Sequence, residues 1–178
     1  MNRINAHQLF EMNEFRQELL QLFKDVLESG SALRVKVTGR SMANFLTGGE
    51  ILTIKKVPCS SLHNGELILF NNHGFPILHR IIKKYRAEDG AVIFQTKGDA
   101  TTYSDEPVHQ DKVLGKVFKI EGLSASGRVR QINMESTRLK ALNYFIATIT
   151  PIRPMLQRTL LNFFIHIHAL QKKKNRTY

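Results

Sequence analysis

Apolar residues recur along the chain with two different periods. Between residues 6 and 29 they fall three or four positions apart with charged side chains between them, which predicts an amphipathic helix that ends at Gly30. From about residue 33 to 122 the pattern changes to short β-branched runs separated by turn residues. The six runs are LRVKVTG, EILTIKKV, GELILFNN, ILHRIIKKY, AVIFQTK and KVLGKVFKI.

The close spacing of these runs predicts a mainly β fold, with a barrel-like or sandwich core and helices at its two ends. We divide the chain into an N-terminal helix (1–32), a β domain (33–122) and a basic helical tail (123–178). Apolar residues return to helical spacing in the tail. Pro151 and Pro154 should split the tail into two helices, because each proline removes an amide donor and constrains the residue before it.

Positive charge is concentrated in the tail. Residues 128–178 hold ten lysines and arginines against a single acid, Glu135, out of a formal net charge of +11 for the chain of 178 residues. This asymmetry predicts contact with an anionic surface. Helical apolar spacing with flanking cations favours a membrane interface, and packing against the N-terminal helix or a partner protein stays open. Nucleic acid is disfavoured, because basic and aromatic residues do not interleave on a recognisable module.

The chain has no segment with the length and composition of an export signal or a spanning helix. The first twenty residues carry charges throughout, and the longest uncharged runs, 141–152 and 159–170, are twelve residues each. A spanning helix needs about 18. We therefore expect peripheral attachment to a membrane, on its cytoplasmic side. The single cysteine, Cys59, excludes an internal disulfide. We predict neither a metal nor an organic cofactor.

Candidate catalytic residues lie within the β segment. Ser41, in VTGRSMANFLTGGE, falls at a predicted strand end, and its hydroxyl is a weak nucleophile unless a base takes its proton. His79, in the apolar run ILHRII, is the leading base, because the other histidines lie in loops or in the tail. Asp99 and Asp105, in TKGDATTYSDEPV, could orient an imidazole. Taken singly, each of these residues is more often structural than catalytic.

The order of four segments carries more information than any one of them. GRSM, GELILF, HRII and then TKGDATTYSDEPV with VLGKV resemble the signal peptidase family of serine proteases, in the histidine-containing form of archaeal and endoplasmic-reticulum enzymes. The resemblance covers about residues 36–118 and implies a β-rich peptidase that cleaves a leader or preprotein after small residues. It implies Ser41 as nucleophile, His79 as general base, Asp105 as the acid that orients His79, and Asp99 as a supporting residue.

Histidine in place of the lysine of bacterial relatives is chemically reasonable. A lysine base needs burial to lower its pKa, whereas histidine titrates near neutral pH and mainly needs an orienting acid. Activity should therefore rise as His79 loses its proton. The Ser41 amide is the expected oxyanion donor, and Gly39 has no hydroxyl to supply a second one. The family's S-M-x-P-T-L reads SMANFL here, which affects substrate fit more than reaction class.

Two other interpretations stay open. A self-cleaving repressor-type peptidase has a similar fold, but it requires a lysine where His79 stands, a cleavable bond upstream and a DNA-binding domain in front. Only SGSA at 29–32 approaches such a bond, and one helix is no DNA-binding domain. A catalytically inactive module that binds peptides or membranes is compatible with the altered SMANFL turn, although Ser41, His79 and Asp105 are all present.

Overall fold

Strands dominate the part of the protein that its structure describes. The structure is a computed structural model and describes residues 6–43, 45–123 and 129–151. These ranges contain two α-helices and eight strands, with short 3-10 turns at Cys59–Ser61 and Gln110–Lys112. The elements in chain order are α1 (Ala6–Glu28), β1 (Leu33–Lys36), β2 (Ile51–Lys55), β3 (Leu67–Asn72), β4 (Phe75–Arg86), β5 (Val92–Lys97), β6 (Val108–His109), β7 (Val113–Leu123), β8 (Val129–Asn133) and α2 (Thr137–Ile149).

The eight strands form one antiparallel sheet. Its order is β1-β2-β7-β3-β4-β5-β6, and β8 pairs with β7 off this path. β7 holds the sheet together, because it also pairs with β2 and with β3. The mainly β prediction is confirmed, and each of the six predicted runs overlaps a strand. The sheet is not a closed barrel: within the described ranges its strand order starts at β1 and ends at β6.

Side chains on both faces of the sheet are buried. Along β3, Leu67 and Leu69 belong to one apolar cluster, and Ile68 and Phe70 belong to a second. Because successive residues of a strand point to opposite faces, a strand buried on both faces reads as a continuous apolar run, as LILF does here. The first cluster takes Leu27 from α1 and the second does not, so α1 covers only one side of the sheet.

Helix α1 matches the helix predicted for residues 6–29. It ends where Gly30 adopts a φ of +82°, a left-handed conformation that glycine reaches without strain and that commonly follows the last helical turn. The Gly30 amide bonds the Leu27 carbonyl at 3.2 Å. Neither α1 nor α2 is both long enough and apolar enough to cross a membrane, and no other helix lies in the described ranges except the 3-10 turns.

The chain after β7 returns to the sheet. β8 lies in the segment predicted as a helical tail, and its residues pair with β7 from Lys119↔Asn133 to Leu123↔Val129. α2 follows and contacts β4, with Asn143 and Ala147 buried. The predicted second tail helix, beyond Pro151, and most of the predicted membrane-binding segment lie outside the described residues.

Candidate active site

Ser41 lies in a tight turn between β1 and β2 and is partly buried. The next residue, Met42, is 2% exposed and belongs to the first apolar cluster, which anchors the turn. The Leu46 amide closes the turn by donating to the Met42 carbonyl at 2.7 Å. On the other side, the Ala100 amide donates to the Ser41 carbonyl at 2.8 Å. The Ser41 backbone is therefore held from two directions.

His79, on β4, contacts Asp105 directly. The Nδ1 atom of His79 lies 2.6 Å from Oδ2 of Asp105, and the two side chains are only 8% and 17% exposed. When the Asp105 carboxylate is ionised it can only accept hydrogen bonds, and the proton of this contact then belongs to Nδ1. Nε2 is then the ring nitrogen through which His79 can take a proton from another group.

Strand β5 fixes the position of Asp105. The Thr96 hydroxyl donates to the same Oδ2 atom at 2.7 Å, and the Asp105 amide donates to the Thr96 carbonyl at 2.9 Å. The side-chain amide of Gln95 also bonds the Asp105 carbonyl. Sequence reasoning did not identify Thr96 or Gln95. Thr96 and Gln95 lie one and two residues before the end of a strand that precedes an acid-rich loop, and that position was the available signal.

The backbone of Ser41 and the ring of His79 both lie close to Gly98. A Cβ atom built on Gly98 would lie 2.6 Å from the Ser41 carbonyl oxygen and 3.0 Å from Nε2 of His79. Both atoms therefore flank the same point, where only glycine fits. Within the described ranges, no hydrogen bond joins the Ser41 hydroxyl to His79. Such contacts are often long before substrate binds and tighten in the complex.

Asp99 pairs with Arg80 rather than with His79. Oδ1 of Asp99 accepts from Nε of Arg80 at 2.8 Å, and Oδ2 accepts from Nη2 at 2.6 Å. The two side chains are 3% and 0% exposed. The residue pattern alone left open which acid orients the imidazole, and the family resemblance implied Asp105. In the structure Asp105, not Asp99, lies against the ring.

Arg80 is a residue that sequence reasoning passed over. Its Nη1 atom donates to the Gly65 carbonyl at 2.8 Å and to Oδ1 of Asn143 at 2.7 Å. Its Cζ atom also lies 4.9 Å from the centre of the Phe45 ring, one of the residues that depart from the family's S-M-x-P-T-L stretch. A charged residue inside the apolar run ILHRII was the available signal, because buried charges are rare unless paired.

A groove of about 350 Å³ opens beside Ser41. Its walls come from α1, β1, β2, β3, the start of β4 and the Ser41 turn. The sequence predicted α1 only as an amphipathic helix, and the structure shows that it forms part of the groove wall. The apolar residues that line it include Leu19, Phe23, Val35, Val37, Leu69 and Leu78.

A network of ion pairs lies beside α2. Nζ of Lys116 is 2.7 Å from a carboxylate oxygen of Glu66 and 2.7 Å from one of Glu135, which also pairs with Lys140 at 2.8 Å. Burial alone would raise the pKa of Glu135, but the hydrogen bonds from Lys116 and Lys140 outweigh burial and lower it. Burial would lower the pKa of Lys116, and its bonds to Glu135 and Glu66 raise it instead.

Among the described residues, no group of histidine, cysteine, aspartate and glutamate could hold a metal ion.

A family model described as Peptidase S24-like matches residues 4–118, more than half of the chain. The chain therefore belongs to the Peptidase S24-like family. This match covers α1, β1 to β6 and the first half of β7, together with Ser41, His79, Asp99 and Asp105. The family-level resemblance expected from the sequence is confirmed.

Similarity to signal peptidase subunits is weaker and partial. The chain is 28% identical over 88 residues to the signal peptidase complex catalytic subunit SEC11C of dog (Canis lupus familiaris), human (Homo sapiens) and mouse (Mus musculus). The aligned region is 48% of this chain and 46% of each relative. The chain thus spans about half the length of the curated relatives it matches.

Proposed function

We propose that this protein is a serine endopeptidase of the signal peptidase type, which cleaves a leader or preprotein after a small residue. Ser41 is the nucleophile, His79 the general base and Asp105 the acid that orients it. The observation that carries the proposal is the 2.6 Å contact between His79 and Asp105, made next to the loop that packs on Ser41. Membership of the Peptidase S24-like family and similarity to signal peptidase subunits support peptide hydrolysis.

The proposed reaction begins with attack of the Ser41 hydroxyl oxygen on the scissile carbonyl carbon. Nε2 of His79 takes the hydroxyl proton, and Asp105 stabilises the imidazolium that forms. The Ser41 amide is the expected donor to the oxyanion. His79 then gives the proton to the leaving amine as the peptide bond breaks. A water molecule, deprotonated by His79, hydrolyses the acyl ester and restores the Ser41 hydroxyl.

The groove beside Ser41 supports an extended, apolar substrate segment. Its walls bring aliphatic side chains and the ring of Phe23 close to the nucleophile. An apolar leader segment that enters the groove would be stabilised because its surface is removed from water, and part of it would lie beside Ser41. The preference for a small residue at the cleavage position is implied by the family resemblance.

The contact between His79 and Asp105 favours this proposal over the two alternatives. A repressor-type peptidase requires lysine at position 79, and a histidine paired with a carboxylate follows a different catalytic pattern. An inactive binding module needs no histidine held at 8% exposure by an aspartate and positioned beside a serine turn. A cleavage assay separates the remaining possibilities.

The test uses a quenched fluorescent peptide with an apolar stretch followed by Ala-X-Ala. We expect Ser41→Ala and His79→Ala each to lower kcat by about 10⁴-fold or more, because groups that act as a unit fail together. Ser60→Ala and His63→Ala are the matched controls, since both residues are exposed and neither lines the groove. Equal product from wild type and both site variants would refute the proposed peptidase activity.

We further propose that the basic segment 128–178 binds anionic membrane surfaces, which would attach the protein peripherally to a cytoplasmic leaflet. Its ten cations against one acid support this partner. Co-sedimentation with vesicles of phosphatidylcholine, alone or mixed with phosphatidylserine, tests it. We expect binding only to the mixed vesicles, weakened by salt and by changing Lys172, Lys173 and Lys174 to Gln. Equal binding to both vesicle types, or to neither, would contradict it.

A further inference from the structure

The guanidinium of Arg80 is fully buried and is bonded to partners from distant parts of the chain. Its side chain is 0% exposed, and its N–H groups make four hydrogen bonds to Asp99, Gly65 and Asn143. Arginine stays charged in proteins, so a buried guanidinium needs these hydrogen-bond acceptors to replace the water it has lost. Loss of one partner therefore forces the others to rearrange.

Asn143 brings α2 into this cluster. It is 3% exposed, and its Oδ1 atom accepts from Nη1 of Arg80 at 2.7 Å. The helix backbone approaches the Gly65 turn so closely that a Cβ atom on Gly65 would lie 2.6 Å from the Asn143 carbonyl carbon. α2 is thus seated in one position by a side-chain bond and by direct backbone contact.

The opposite side of the cluster leads to the reacting groups. Asp99 follows Gly98, whose surroundings include the Ser41 carbonyl and Nε2 of His79. The Asp99 amide contacts the Sδ atom of Met42 at 3.4 Å, and the Ala100 amide bonds the Ser41 carbonyl at 2.8 Å. A shift of Asp99 would therefore displace atoms that touch Ser41 and His79.

We propose that Asn143 is a positioning residue, through which α2 holds the Gly98–Ala100 loop in register with Ser41 and His79. Asn143 acts through Arg80 and Asp99 and touches no reacting atom. It lies beyond residues 4–118, so the family match does not assign it a role. The expected effect on cleavage rests on the proposed function. The coupling itself, by which Asn143 of α2 holds the Gly98–Ala100 loop in place, does not.

The kinetic test compares Asn143→Ala with Asn143→Asp and Leu142→Ala. We expect Asn143→Ala to lower kcat roughly 10- to 100-fold with little change in KM, because small misplacements of reacting groups have effects of this size. Asn143→Asp keeps an oxygen acceptor for Arg80 and should recover most of the rate. Leu142→Ala, at a neighbouring residue that is 48% exposed, should match wild type. Wild-type kcat in a folded Asn143→Ala protein would overturn the proposal.

Hydrogen exchange provides a readout that needs no activity. In Asn143→Ala we expect the Ala100 amide, bonded to Ser41, to exchange about tenfold faster or more, while the amides of β7 keep their protection. Unchanged exchange at Ala100 would overturn the coupling. Faster exchange, combined with full cleavage by Ser41→Ala, would refute the peptidase proposal and leave the coupling intact. If Asn143→Ala does not fold, Asn143→Gln, which displaces the amide by one methylene, takes its place with the same expectations.

Discussion

Two neighbouring residues of β4 each pair with an aspartate from the same connection between β5 and β6, and the two pairs differ in what they can do. His79 and Asp105 keep 8% and 17% of their side-chain surface exposed, whereas Arg80 and Asp99 keep 0% and 3%. Histidine changes protonation near neutral pH and arginine does not. The first pair can therefore exchange a proton, and the second can only hold charge and geometry.

The alternation of side chains along a strand separates these two pairs. The ring of His79 lies 6.3 Å from that of Phe70, in the second apolar cluster, whereas Arg80 lies against Phe45, which packs on the first. One loop can thus serve both pairs, because its two aspartates reach β4 from different positions. Burial and partner, more than residue type, distinguish a candidate catalytic acid from a structural one.

The largest expected effect is on turnover, from Asp105→Asn. This change keeps the shape of the side chain but removes the charge that orients His79, and we expect kcat to fall roughly 10²- to 10⁴-fold. Thermal unfolding should change little, because Thr96 can still donate to the remaining oxygen. Initial-rate kinetics with the peptide substrate and a melting curve measure the two quantities. Wild-type turnover in a folded Asp105→Asn protein would contradict a catalytic role for the His79–Asp105 pair.

The next effect is on stability, from Arg80→Met. Removing one partner of a buried ion pair leaves Asp99 without its guanidinium, and we expect the free energy of unfolding to fall by about 3–5 kcal/mol. Urea denaturation measures it. Arg34→Met is the control, because Arg34 pairs with Glu121 while its side chain is 60% exposed, so its loss should be much smaller. Similar losses for both variants would contradict the structural role of the buried pair.

A smaller effect on turnover should follow from Gly98→Ala, since the added Cβ would meet the Ser41 carbonyl and Nε2 of His79. We expect kcat to fall roughly 10- to 100-fold, because the loop must move away from both groups. Gly122→Ala is the control: its Cβ would meet only the side chain of Glu50, and cleavage should stay at the wild-type rate. Equal activity of the two variants would mean that the loop is free to adjust.

The smallest effect concerns acid stability around α2. The pKa of Glu135 is lowered in the folded protein, because the bonds from Lys116 and Lys140 outweigh burial. The ionised carboxylate therefore adds to the free energy of unfolding above the ordinary pKa of 4.5, and this stabilisation is lost as the pH falls below that value. In Glu135→Gln the drop in the free energy of unfolding between neutral and acid pH should be smaller by at most about 1 kcal/mol, because the carboxylate is 33% exposed. Urea denaturation at pH 7 and pH 3.5 compares the two proteins, and an identical pH dependence would rule out this contribution.

The sequence predicted the strands well because their apolar runs are dense and bounded by turn residues, as GELILFNN and AVIFQTK show. It did not reveal β8, whose residues VRQIN are mostly polar and exposed and are held by pairing with β7. Only the family resemblance pointed to Asp105. The residue pattern itself could not choose between Asp99 and Asp105, because both lie in one turn-rich loop and the choice depends on how that loop meets β4. The role of Asn143 could not be predicted from the sequence either, since its partner Arg80 is 63 residues away in the chain.

A double-mutant cycle between Ser41 and His79 tests the central claim most directly. Single-turnover cleavage is measured for wild type, Ser41→Ala, His79→Ala and the double variant. Because a nucleophile and its base act as one unit, we predict that the double variant cleaves within about threefold of either single variant. Wild-type rates in either single variant, or losses that multiply in the double variant, would contradict a shared catalytic role.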